Sequence, residues 1–162
     1  MELNLYIDVV NRQLVSSELS DSPIDLLPLF REDTLSIRLK FLNPTNLLTE
    51  PFEVIDVTPL TITVGIGERD GTLDAVQTSW NKDTANNQFY GELDILTTSI
   101  ESELLAASGD SIEKWFEIEI QENGKIHTAL QTKCEIWKDV IRNGYLAPTE
   151  IEPPSELATS MS

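Results

Sequence analysis

The chain has 162 residues, enough for one domain with a substantial core, and a hydrophobic share of 40%. It is strongly acidic, with 28 Asp and Glu against 11 Lys and Arg and a net charge of −17. That balance argues against nucleic acid and anionic membranes as partners, since both need a basic stripe. It reads first as solubility and second as a docking surface for a basic partner.

Leu3, Leu5, Ile7 and Val9 alternate with Asn4, Tyr6 and Asp8, the period of a strand with one dry face. No basic segment precedes them and Asp8 interrupts them, so neither a signal peptide nor a membrane span is expected. The chain is expected to be made in a cytoplasm. Asn11-Arg12 reads as a turn and Leu14-Val15 as a short strand. Ser16 to Asp25 is polar and reads as loop, and Pro23 and Pro28 limit any helix around Leu26-Leu27 to about one turn.

Thr34 to Phe41 is a second strand, with Leu35, Ile37, Leu39 and Phe41 facing in. Asn43-Pro44-Thr45-Asn46 ends it. Phe52 to Val57 is a weaker strand. Leu60, Ile62, Val64 and Ile66 form another, closed by the turn Glu68-Arg69-Asp70-Gly71. Parity then changes between Ala75 and Val76, which implies a bulge or strand end near Val76. Asn81 to Asn87 reads as loop, and Phe89, Gly91, Leu93 and Ile95 as a strand. Thr98 with Glu101 forms a capping box, and Ile100, Leu104 and Leu105 recur at helical spacing. The helix expected is Ser99 to Ala107, ended by Gly109.

Glu113 to Ile136 reads as one long hairpin. Asn123-Gly124 alone suggests a two-residue turn, which pairs Ile120 with His127 and throws the apolar rows onto opposite faces. A three-residue loop, Glu122-Asn123-Gly124 with Gly124 left-handed, pairs Ile120 with Ile126, Ile118 with Thr128 and Phe116 with Leu130. It also pairs Glu119 with His127 and Glu113 with Lys133 on the wet face, and this is the register expected.

Trp137 to Tyr145 has mixed parity. Residues 146–162 contain Pro148, Pro153 and Pro154 and read as a flexible acidic tail. The fold expected is therefore mainly β: an antiparallel sandwich, or partly open barrel, of about eight strands with one short helix over 99–107, all within 1–145.

Reactive groups are sparse. His127 and Cys134 are the single histidine and the single cysteine, an odd number of residues apart on one strand and so on opposite faces. They make neither a dyad nor a closed zinc site, and Cys134 reads as a buried, inert thiol. No calcium-loop pattern is present, although so many carboxylates leave calcium open. Gly65-x-Gly67 lacks the third glycine and the lysine of a phosphate loop. Glu92 with Asp94, and Glu117 with Glu119, have the spacing of a glycosidase pair, but also that of any wet strand face. Neither catalysis nor a cofactor is expected. Trp80, Tyr90, Trp115, Trp137 and Tyr145 are the candidate contact residues; exposed together they would form a protein- or sugar-binding patch.

Four runs carry a family resemblance: Arg31-Glu32-Asp33-Thr34-Leu35-Ser36-Ile37 with Leu39 to Asn43; Leu60 to Gly67 running on to Trp80; Phe89 to Asp94 leading into the helix; and Phe116 to Gln121 with Asn123-Gly124 and Thr128 to Gln131. Together they resemble the N-terminal β-sandwich modules of baseplate and fibre proteins of tailed bacteriophages, such as the baseplate upper protein. The likeness spans roughly residues 1–141, and Glu32 stands where that family often has glycine. It implies a non-enzymatic virion component attached to head, neck or tail, whose partners are other virion proteins and further copies of itself. A carbohydrate-binding sandwich that meets surface glycans through its aromatics is the alternative.

Overall fold

Twelve strands and one helix, all within residues 2–30 and 34–138, make up what the computed structural model describes. They are β1 (Glu2–Asp8), β2 (Gln13–Ser17), β3 (Ser20–Ile24), β4 (Leu26–Phe30), β5 (Leu35–Pro44), β6 (Phe52–Val54), β7 (Thr61–Gly67), β8 (Leu73–Gln77), β9 (Asn81–Asp83), β10 (Gln88–Leu93), α1 (Thr98–Ala106), β11 (Ser111–Glu122) and β12 (Lys125–Trp137).

Sheet A runs β3-β2-β1-β5-β10-β9, with β6 also paired to β5; sheet B runs β4-β12-β11-β7-β8. The sandwich is mixed where alternation suggested an antiparallel one. β1 lies parallel to β5, placing Leu5 beside Leu39 and Ile7 beside Phe41. β4 lies parallel to β12. The dry rows nominated by alternation do form the core: Leu35, Ile37, Leu39, Phe41, Val64, Ile66, Phe116 and Ile118 are fully buried. They belong to one cluster, joined by Ile100 and Leu104 of α1. A second, smaller cluster of Val15, Leu42 and Phe52 lies apart from it, under Tyr6 and Val54.

Three segments expected to lack strand are strands. Ser16 to Asp25 holds β3, and the region around Leu26-Leu27 is β4 rather than a helical turn. Both carry a proline, Pro23 and Pro28, and both are edge strands, where a missing N–H breaks no ladder. Asn81 to Asn87 contains β9, closed onto β10 by a turn with Asn87 at φ 50°. Helix α1 is capped one residue earlier than expected, the Thr97 hydroxyl accepting from Ile100 N. It ends at Ala107 in extended backbone, two residues before Gly109. The bulge expected near Val76 sits at Asp74, where Gly67 pairs with Leu73 and Ile66 with Ala75.

The central hairpin corrects the expected register. Asn123 and Gly124 both have positive φ, 53° and 79°, as a two-residue turn requires. Glu122 pairs with Lys125, Ile120 with His127 and Glu119 with Thr128; then Ile118 pairs with Leu130 and Phe116 with Thr132. The extra residue is Ala129, fully buried. The bulge, not the turn, reconciles the two apolar rows. Below it Leu130, Thr132, Cys134 and Ile136 face the core. Above it Ile126 falls on the solvent side, 63% exposed. Glu113 accordingly faces Glu135, and Lys133 faces Trp115 while reaching Glu113 diagonally at 3.9 Å.

Candidate interaction surfaces

Among the described residues, the candidate aromatic side chains do not gather into one patch. Trp80 turns inward: its Nε1 donates to Gln77 O at 3.0 Å, and its ring covers Gly91 at the edge of the core. Tyr90 stands on the outer face of sheet A, opposite Arg38, whose guanidinium lies 5.3 Å from the ring centroid. Trp115 and Trp137 lie on the outer row of sheet B, about 13 Å apart along the strands. Arg69 and Lys133 lie against the Trp115 ring, 4.9 and 6.0 Å from its centroid. Tyr145 and the tail 146–162 lie outside the described residues. Tyr90 and Arg38, with Glu2, Asn81 and Glu92, line a shallow groove of about 480 Å³ on sheet A.

The single histidine and the single cysteine stand apart from each other. The Ala129 bulge reverses parity, so His127 and Cys134 share a face after all; distance, about 20 Å of strand, separates them. His127 is exposed near the hairpin tip, whereas Cys134 is fully buried and burial pushes its thiol up to about 12. Glu117 and Glu119 line the outer row of sheet B. Partial burial raises the Glu117 carboxyl, and the neighbouring Glu119 charge adds to it. Asp94 is engaged locally, accepting from Leu96 N at 3.0 Å.

Sequence reading missed a buried cation. Lys114 is 1% exposed and its ammonium meets three carboxylates: Glu68 after β7 at 2.5 Å, Asp74 in the β8 bulge at 2.9 Å, and Glu103 of α1. Ser99 Oγ donates to Asp74 at 2.7 Å. Burial alone would push the ammonium down; hydrogen bonds to Glu103, Glu68 and Asp74 overcome that and hold it well above its ordinary value. Asp74 is lowered in turn: Lys114 and Ser99 outweigh the desolvation that would raise it. The three carboxylates lie within 4.8 Å of one another, close enough for a metal, but the ammonium already fills the centre. The arrangement clamps α1 and the β7–β8 turn onto β11. Its signal was legible: Lys114 has the parity of Phe116, Ile118 and Ile120.

A second feature that sequence reading passed over is apolar. Leu19, in the β2–β3 turn, and Leu47 and Leu48, in the β5–β6 loop, line one groove of about 470 Å³ together with Phe52.

No family model and no curated protein matches the sequence. Among solved structures, the chain is similar to the N-terminal domain of phage TP901-1 ORF48, with 11% identity over 85% of this chain and 98% of that chain and a TM-score of 0.40.

Proposed function

We propose that this chain is a non-enzymatic structural or adaptor component of a bacteriophage particle, acting through protein–protein assembly as a homo-oligomer with other virion proteins. The phage assignment rests on the four residue runs that resemble baseplate and fibre modules. The observation that carries the assembly reading is the distribution of side chains. The space between the sheets is filled by one apolar cluster. The groups that the sequence singled out for chemistry are scattered, with His127 at a hairpin tip, Cys134 in the core, Glu92 outside sheet A and the neighbouring Glu117 and Glu119 outside sheet B, while the three acids that do converge, Glu68, Asp74 and Glu103, are taken up by the Lys114 ammonium. Large apolar side chains stand instead on the surface, where contacts between proteins are made.

Light scattering behind size exclusion tests the oligomer directly. A defined multimer is expected; a monomer at tens of micromolar would count against it. Capsid, portal or tail genes beside the reading frame would support the phage assignment, and metabolic neighbours would count against it.

One observation favours saccharide binding as a second reading. The Tyr90 groove pairs an exposed ring with Arg38, Asn81 and Glu92, a mixture of apolar and planar polar groups suited to a sugar. Glycan-array binding lost on Tyr90→Ala would promote it. Retention of binding in that variant, or no binding at millimolar sugar, would retire it.

A further inference from the structure

Leu19, Leu47 and Leu48 are 75%, 60% and 100% exposed, and all three line the same groove. Single exposed leucines are ordinary; three converging on one concavity are not. Nor are they loose. Thr45 N donates to Pro51 O at 2.8 Å and Thr45 Oγ to Glu50 O at 2.5 Å, closing the β5–β6 loop, while the same hydroxyl accepts from Leu47 N at 3.1 Å. Ser17 Oγ repeats the device in the β2–β3 turn, accepting from Leu19 N at 3.1 Å. Each hydroxyl fixes a leucine two residues on. The small cluster of Val15, Leu42 and Phe52 supports the groove, and Phe52 lines it.

Charge restricts the occupant. The segments framing the groove carry Asp8, Glu18, Asp21, Glu50 and Glu53 against Arg12. Asp8 is committed to Val10 N and Asn11 N, and Glu18 to Lys40 at 3.0 Å, but Asp21 lines the groove and is exposed. An acidic stretch of a second copy meets repulsion here, from exposed Asp21, Glu50 and Glu53. So does the C-terminal stretch, with Asp139, Glu150, Glu152 and Glu156 against Arg142.

We propose that this groove docks a segment of another protein in which large apolar side chains sit beside lysine or arginine. The leucines supply burial and the acidic rim selects the sign. The proposal deepens the assembly reading and rests on it.

Fluorescence anisotropy at physiological salt tests it with three labelled nonapeptides, alternating Lys/Leu, Lys/Ser and Glu/Leu. Lys/Leu is expected to bind about tenfold or more tighter than Lys/Ser, a difference two buried leucines readily supply. The double variant Leu47→Ser with Leu48→Ser should remove that difference while leaving Lys/Ser affinity and the melting temperature unchanged. Equal binding of the two lysine peptides overturns the proposal, as does full Lys/Leu binding by the variant or tight binding of Glu/Leu. A variant that loses self-association places a second copy in the groove and overturns it equally. Presence in particles without peptide discrimination removes the groove alone; discrimination without presence in particles removes the assembly reading alone.

Discussion

Lys114 Nζ donates to Asp74 Oδ2 at 2.9 Å, tying the inward row of β11 to the bulge of β8. Asp74 is the most buried of the three acids that Lys114 meets. Lys114→Met leaves that carboxylate without its cation, and a loss of roughly 1–3 kcal/mol is expected in urea unfolding at neutral pH. Half-exposed Glu68 and Glu103 regain water and limit the cost. An unchanged midpoint would show that the clamp contributes nothing.

The same pair sets a pH dependence. Asp74 is lowered on folding, so its contribution is present above the ordinary 3.8 and fades as pH falls through its folded value. Lys114 is raised, so its contribution is complete below 10.5 and fades as pH rises through its folded value. Wild type minus Lys114→Met should therefore be flat from about pH 5 to 9 and shrink at both ends. A difference that grows toward acid would contradict the assignment. Asp56, Asp70 and Asp83 are lowered by local hydrogen bonds from Thr58, Thr72 and Asn86, and they add to the acid slope in both proteins.

Cross-strand NOEs read the hairpin register directly. Contacts joining Ile120 to His127 and Ile118 to Leu130 are expected, with Ala129 bulged between them. Contacts joining Ile120 to Ile126 and Ile118 to Thr128 would restore the register that alternation alone favoured. Gly124→Ala, at φ 79°, should cost about 1 kcal/mol.

Cys134 is fully buried, with its thiol pushed up to about 12 by that burial. Labelling by a disulfide reagent at pH 8 should follow global unfolding, slowing as stability rises. Rapid labelling of the native protein would place the thiol at the surface.

Gly91 underlies Trp80, and a Cβ there would lie 2.7 Å from the indole ring. Gly91→Ala should shift the ring, change tryptophan emission and cost roughly 1–3 kcal/mol. An unaltered emission spectrum would mean that the ring does not rest on that glycine.

Where alternation was unbroken, in β5, β7 and the first half of β11, the dry face was readable residue by residue. The misses have physical causes. β3 and β4 are edge strands, where proline and polar residues are tolerated, so their composition imitates loop. The register failed because one small residue, Ala129, absorbed a parity change that the sequence leaves unmarked. Lys114 was legible by parity, but its acids come from a turn, a bulge and a helix brought together only by folding. The leucines of the groove carry no period at all, because loops present them.

The assembly reading is tested most directly by quantitative mass spectrometry of particles purified from a culture that carries this gene. The chain should co-purify through a density gradient in fixed, stoichiometric ratio to the major structural proteins. Its absence from those particles, with the protein left free in the lysate, would contradict the assignment.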